Sequence, residues 1–422
     1  MFVPALIPGV LSSTTPLRVL GPGHAGRTGT TRSGTALVQD SSGIWQAASA
    51  NAPRFTGSAQ RLLVEEARTN LIRNPRAEGA VAGTPGTMPT NWGSATNPTG
   101  LARSIVGTGT VNGLPYIDIR LSGTLTSSNG NAAMTLDLQT GMPITAATNY
   151  TYSIYVALIA GSLSNVPNIA LNLLTYQSDG VTQVDNVSNN FHTELTSALK
   201  RFSLNFTSGT GAVFVLPRLR PGLGSSGSAV DITLRIAAPQ FELGTVATSP
   251  VLPTAGTPAT ASRAADLVSW SPSGGFGSSG TVVVQAMLPN AAVFGVHQGL
   301  VQIDDGTDSN RLLIRNTSAG STIFGIIDSG GSTLASLSGG NMTAGTVFRA
   351  AFAWAPGDQA FCLNGGTVQT AAATLPSGLT RMLVGHGATG LNRAANGEIA
   401  LVDYRPVRVP NTTLQALSTS GV

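Results

Sequence analysis

Charge is scarce in this chain. Only 10% of its 422 residues are Asp, Glu, Lys or Arg, against about a quarter in ordinary domains. Low charge accompanies disorder only when apolar content is also low, and 41% of these residues are hydrophobic, so the chain is expected to fold. Lys200 is the single lysine, and the formal charge of +4 therefore rests on arginine. A nucleic-acid footprint needs a basic patch interleaved with aromatics. Aromatics make up 5% of the chain and no such patch occurs, so no nucleic-acid partner is expected. Arg218 and Arg220, beside Pro217 and Pro221, come nearest, and alternation along a strand accounts for them. Cys362 is the sole cysteine, which excludes an intrachain disulfide framework and a cysteine zinc site. In the string FCL it reads as a small buried thiol. No apolar run reaches the 18 residues of a spanning helix, so no membrane insertion is expected. The opening string MFVPALIPGV lacks a basic region and holds two prolines, unlike a secretory leader.

The signatures of catalysis are missing as well. Neither G-x-S-x-G nor H-E-x-x-H occurs. The histidines at 24, 192, 297 and 386 share no ligand spacing. Asp304, Asp305, Asp308 and Asn310 make an oxygen-rich loop, but without the spacing or terminal Glu of a calcium hand, and it reads as a turn. Gly21, Gly23 and Gly26 match G-x-G-x-x-G, yet the following RTGTTRSG cannot open a helix, so nucleotide binding is not expected. Glycoside hydrolysis needs two carboxylates facing across the sugar, and Glu398 and Asp403 do not present such a pair. No cofactor, no metal and no enzymatic activity are expected.

Short runs of period two fill the rest. In residues 74–250 they are YIDIRL (116–121), MTLDL (134–138), YTYSIYVA (150–157), IALNLLTY (169–176), RFSLNF (201–206), AVFVLPRLR (212–220) and DITLRI (231–236). Residues 271–422 repeat the signature, for example in GTVVVQA (280–286), VFRAAFAW (347–354) and GEIALVDYR (397–405), and end in one short helix, PNTTLQAL (410–417). Such alternation, punctuated by Gly, Asn, Ser and Pro, predicts an all-β protein with two sandwich domains of jelly-roll type. TALVQ and IWQA around Asp40–Gly43 read as a hairpin. Residues 1–73, rich in Gly, Pro, Thr and Ser at their start, read as an extended N-terminal arm and linker with little core of its own. Within it, Glu65, Glu66 and Arg68 suggest one or two helical turns, their carboxylates salt-bridged to nearby arginines. Residues 251–270 form a second linker.

Two strings carry a resemblance. RLLVEEARTNLIRNPRAEGA, from Arg61, with APRF just before it, resembles a linker in fibre and spike proteins of tailed bacteriophages and gene transfer agents. APQFELGTVATSP (238–250), followed by Thr254 and SRAAD (262–266), resembles the close of the carbohydrate-binding-type sandwich in the same proteins, with Ser262 in place of a usual Thr. NPRAEG from Asn74, with PTNW at 89–92, resembles the opening of such a sandwich. Phe352, Trp354, Asn364, Gly365 and the Gly397–Arg405 string are similar to a concanavalin A-like (laminin G-like) sandwich.

The resemblance implies a carbohydrate-binding-module-like domain at 74–250 and a concanavalin A-like domain at 271–422. It implies a tail-fibre or head-spike subunit, made in the bacterial host cytoplasm and carried on the virion. Such a subunit would attach to host surface polysaccharide, touch tail, portal or capsid-vertex proteins, and form a homo-oligomer, a trimer in preference to a pentamer. A secreted bacterial adhesive protein is the alternative, and a polysaccharide-degrading enzyme the third reading. Flat aromatics would carry the sugar contact. Trp92, Tyr116, Tyr152 and Tyr176 are the candidates, with Trp92 first because its loop is rich in Gly, Asn and Ser. Trp354, alternating with Phe352, is expected in the core.

Overall fold

A computed structural model describes residues 17–19, 28–94, 100–128, 130–293 and 295–419. Within them the chain forms two compact units, and the chain crosses between them more than once. One unit joins the segments up to Gly43 and Ala47–Ala67 to Ala264–Val422; the other holds Ile44–Gln46 and Arg68–Arg263. The all-β expectation holds. Asn411–Leu417 is the single α-helix among the described residues, and no helix there is long and apolar enough to cross a membrane.

The Arg68–Arg263 unit is a sandwich of two antiparallel five-stranded sheets. The first runs Lys200–Thr207, Asn149–Ser162, Ala229–Leu243, Leu114–Thr124, Leu101–Val111. The second runs Gln183–Asn190, Asn168–Tyr176, Phe214–Gly222, Met134–Thr135, Gly93–Ser94. Alternation decides what each strand buries. Ile117, Ile119 and Leu121 face Ile169, Leu171, Leu173, Val215 and Leu219 across one core. Aromatic pairs fill its wider parts, with Phe191 stacked on Phe202 at 3.9 Å and Tyr150 on Phe241 at 5.1 Å.

The other unit also packs two sheets. Seven strands run Gly29–Thr31, Leu267–Trp270, Arg381–Val384, Gly299–Asp304, Arg311–Asn316, Thr322–Ser329, Ser332–Asn341. The larger sheet contains Gln369–Ala371, Asp358–Leu363, Val347–Ala355, Gly280–Met287, Gly397–Arg405, Arg61–Val64 and Arg54–Thr56, while Leu17–Val19 also pairs with Gly397–Arg405. Phe348, Phe352, Trp354, Phe361 and Tyr404 fill the core between the sheets. Trp354 is 1% exposed, as expected, and Cys362 is buried.

The arm reading changes here. Arg54–Thr56 and Arg61–Val64 are strands of the larger sheet, and Gly29–Thr31 pairs with Leu267–Trp270. No helical turn forms at Glu65, where the strand Arg61–Val64 gives way to extended chain. Its amide donates to Asp266 Oδ2 at 3.0 Å and its carboxylate accepts from Arg54 at 2.7 Å. Asp266 also accepts from Arg32 at 2.8 Å and pairs with Arg54. All four side chains are almost fully buried. The start of the arm, including the 21–26 glycine motif, lies outside the described residues, apart from Leu17–Val19.

The string QFELGTVATS has an equally structural purpose in the other unit. Glu242 is buried and accepts from Thr248 N at 2.9 Å, Thr248 Oγ1 at 2.6 Å and Gln240 Nε2 at 2.6 Å. Gln240 Oε1 in turn accepts from Val251 N at 2.7 Å. Gly244 has φ +106, and a Cβ there would lie 2.9 Å from Arg68 Nη2. The positive φ is what calls for glycine there, since the Arg68 guanidinium sits at the end of a flexible side chain.

Candidate functional site

Each sheet of the Arg68–Arg263 sandwich has an outer face turned away from the shared core, and the second sheet carries the more informative one. Its inward residues are Ile169, Leu171, Leu173, Val215 and Leu219. The intervening positions must therefore point outward. Register sets them in rows. Ser188, Asn172, Arg218, Thr135 and Gly93 are successive Cα partners across all five strands, giving one polar line over the sheet. Arg220, two residues along from Arg218 and so about 6.6 Å away on the same face, stands opposite Ala170. Toward the other end Leu174, Tyr176 and Leu216 form a small apolar cluster with Phe214.

Asn172 organises the polar row. It is fully buried, and its Nδ2 donates to Asn186 Oδ1 at 2.8 Å, Val187 O at 2.9 Å and Ser188 Oγ at 2.8 Å. Its Oδ1 accepts from Arg218 Nε at 2.7 Å and also from Arg218 Nη2. The amide thus has no capacity left for a ligand and serves to fix the guanidinium.

Arg218 and Arg220 find no carboxylate among the described residues, and Arg220 Nε is buried without a hydrogen-bond partner. Burial holds Arg218 below the usual guanidinium range, and the charge of Arg220 adds to the depression against the opposing influence of Tyr176. Most arginines here are answered differently. Arg235 is paired to Asp118 at 2.8 Å, Arg120 to Asp231 at 2.7 Å and Arg311 to Asp328 at 2.7 Å. Half-buried guanidinium groups with free donors, preorganised beside an aromatic edge, suit hydroxyl and oxyanion acceptors on a flat ligand.

The four aromatic candidates do not converge. Trp92 is a correction: it is only 6% exposed and packs in the core. Its Nε1 donates to Asn74 O at 3.0 Å, while Asn74 Nδ2 donates to Glu78 O and Thr90 O at 2.9 and 2.8 Å. The loop is polar because it wraps this network, and the ring fills the sandwich end beneath it. Tyr152 is also corrected, being fully buried, with its hydroxyl unpartnered and its pKa raised by desolvation. Tyr116 lies on the outer face of the first sheet, with one ring face covered by a guanidinium and Gly109 of the neighbouring strand close to its hydroxyl end. Arg235 sits 3.7 Å from its centroid, and a Cβ on Gly109 of the neighbouring strand would come within 2.8 Å of its hydroxyl. Tyr176 alone lies on the arginine-bearing face, 7% exposed within its cluster. The residues that the sequence reading missed are Asn172, Thr135 and Ser188. Arg218 and Arg220 had been seen only as strand alternation. Alternation does place them, and together with Asn172 on the paired strand it is the signal that could have found the row.

The other unit offers a cleft of about 560 Å³ beside Phe276, Trp354, Pro356 and Leu375. Its acidic loop is internally committed. Asp304 accepts from Gln302, Gly306 N and Arg381, and Asp305 from Thr307 and Asn310. No group of three or more potential metal ligands assembles among the described residues. Glu398 pairs with Arg61 and Asp403 with Arg405, each at 3.0 Å.

No protein-family model and no curated protein matches the chain. Solved structures similar to it include carbohydrate-binding modules and laminin LG domains. The CBM40 module of the Ruminococcus gnavus IT-sialidase, bound to α2,3-sialyllactose, is 14% identical over 33% of this chain and 82% of that one, with a TM-score of 0.29. The CBM22-1–CBM22-2 tandem of Paenibacillus barcinonensis Xyn10C is 11% identical over 78% and 99%, at 0.26. Domains LG4–5 of the mouse laminin α1 chain are 9% identical over 75% and 96%, at 0.25.

Proposed function

We propose that this chain is a non-catalytic carbohydrate-binding protein that attaches a tailed-phage-like particle to a bacterial surface polysaccharide. The observation that carries the binding reading is the polar row Ser188–Asn172–Arg218–Thr135 on the outer face of the second sheet. A saccharide chain laid across the strands would meet guanidinium donors along that row and the ring edges of Tyr176 and Phe214 beside it. Asn172 holds Arg218 in place before the ligand arrives, which lowers the entropy lost on binding.

The particle reading rests on the resemblance of the Arg61 and Ala238 strings to fibre and spike proteins. In that reading the N-terminal residues contact tail, portal or capsid-vertex proteins, the subunit assembles as a trimer, and the protein leaves the host cytoplasm with the virion. Both strings are fixed by buried ion pairs and hydrogen bonds within their units, so what they contribute is stability and chain path.

Two measurements test the reading. Purified protein applied to an array of bacterial capsule and lipopolysaccharide glycans should bind a restricted set, with no reducing sugar released. Labelled antibody should decorate intact particles from the source strain at tail or vertex. Absence of glycan binding defeats the first part, and undecorated particles defeat the second.

A further inference from the structure

A second group of unmatched cations lies in the unit that contains the seven-stranded sheet. Arg311 and Arg315 are four residues apart on Arg311–Asn316 and so share a face. Arg315 stands between Gly299 and Phe324 as their Cα partner. The segment 385–396 crosses here. Gly387 O accepts from Arg311 Nη1 at 3.1 Å and lies 3.2 Å from His297 Nε2. Arg393 O accepts from Gly299 N and Gly387 N, both at 3.0 Å. A Cβ on Gly299 would lie 1.9 Å from Gly387 N, so glycine is what lets the crossing segment come this close.

The charges around this crossing do not balance. Arg311 is answered by Asp328 at 2.7 Å and by Asp308 at 3.4 Å. Arg315 and Arg393 make no side-chain hydrogen bond or ion pair among the described residues, and Arg315 Nε is buried without a partner. His297 is pushed down to about 4, first by burial and then by the charges of Arg315, Arg393 and Arg311, with the Gly387 bond opposing. A neutral imidazole therefore sits beside Arg311, which Asp328 and Asp308 answer, and beside Arg315 and Arg393, which bond to no carboxylate among the described residues, Asp328 reaching Arg315 through its charge alone. Burying a polar group without a partner is unfavourable unless something else completes it.

We infer that Arg315, Arg393 and His297 form an oxyanion-binding site on this second unit, and that it takes the carboxylate of an acidic sugar residue. A planar carboxylate matches the donor fork of one guanidinium, the second supplies charge, and the imidazole supplies a switchable third donor. The site lies on a different unit from the arginine face; oxyanion binding follows from its unpartnered cations, while the choice of a sugar carboxylate rests on the glycan-binding reading.

The test uses the full chain and follows the His297 ring by NMR during pH titration. The probes are a glucuronate-containing disaccharide, its neutral glucose counterpart, sodium sulfate, and sodium chloride at matched ionic strength. The uronate should raise the His297 pKa from about 4 by about one unit, since a nearby anion favours the charged ring. The neutral sugar and chloride should leave it in place. Arg315→Gln and Arg393→Gln should each weaken uronate binding about tenfold, and Arg393→Lys should recover part of the loss. A shift of equal size with chloride, a response to sulfate without one to the uronate, or no shift at all overturns the assignment. The wild-type titration decides the matter even if a variant fails to fold.

Discussion

Asp266→Asn should be among the most damaging single-atom changes available to this protein. Asp266 is 1% exposed and holds two buried arginines at once, Arg32 through Oδ1 at 2.8 Å and Arg54 through both oxygens. It also accepts the Glu65 amide at 3.0 Å. Burial works against the charge on Arg54, and the Glu65 and Asp266 carboxylates more than offset it, holding the guanidinium above its usual value. With asparagine in place, Arg54 keeps only the Glu65 carboxylate, and Arg32 is left with the backbone carbonyls of Ala48, Ser49 and Ala52. Removing one partner from a buried pair costs about 3–5 kcal/mol. For a unit of this size that lowers the melting temperature by about 6–20 °C. Calorimetry on wild type and variant measures the shift directly. Lys200→Ala is the control, because the Lys200–Glu194 pair is about half exposed on both sides and should matter by less than about 1 kcal/mol. A melting temperature for Asp266→Asn within about 2 °C of wild type would refute the claim that this cluster holds the unit together.

The remaining predictions concern both units. Trp92→Ala should destabilise by about 3–5 kcal/mol, because the ring is buried and its Nε1 is bonded to Asn74 O; urea unfolding gives the value. Gly244→Ala should destabilise by more than about 1 kcal/mol, since alanine there would have to adopt a backbone conformation of φ +106; its urea midpoint should fall. Acid should weaken the fold below neutrality. His297 and His386 are both held below the ordinary histidine value, chiefly by burial, so the folded state binds fewer protons than the unfolded chain. Stability is then fully present above about pH 6.5 and is lost as pH falls toward about 4. Urea midpoints that stay flat between pH 7 and 5 would contradict the burial of these rings.

Most of the sheet architecture was legible because central strands bury one face and so alternate. Tyr116–Leu121, Tyr150–Ala157 and Gly397–Arg405 all fall within or on observed strands. The missed strands are instructive. Leu101–Val111, Gln183–Asn190 and Ser332–Asn341 each lie at the edge of a sheet, where solvent reaches more of the strand and selects Ser, Asn, Gly and Thr instead of a period-two apolar pattern. The strands Arg54–Thr56 and Arg61–Val64 were hidden for another reason. Arg61–Val64 pairs with Gly397–Arg405 across more than three hundred residues, which leaves no local trace, and Arg54–Thr56, its other neighbour, is an edge strand of three residues.

The arginine face failed for a related cause. Its row exists only through the register of five strands, and polar residues at single positions read locally as ordinary outward alternation. Trp92 failed because a Gly, Asn and Ser-rich loop signals turns and says nothing about which ring turns inward beneath them. Trp354 succeeded because its neighbours alternate, with Phe352 two positions back and both in the core.

Glycan affinity of the arginine face is the measurement that bears most directly on the proposed function. A bacterial surface polysaccharide selected on the array would be titrated by calorimetry into wild type, Arg218→Ala and Arg220→Ala, with thermal unfolding of each recorded alongside. The account predicts that both variants keep a folded sandwich and lose about tenfold or more in affinity, as expected when a charged hydrogen bond of about 1.5–3 kcal/mol is removed. Wild-type affinity in both variants, with the fold intact, would contradict it.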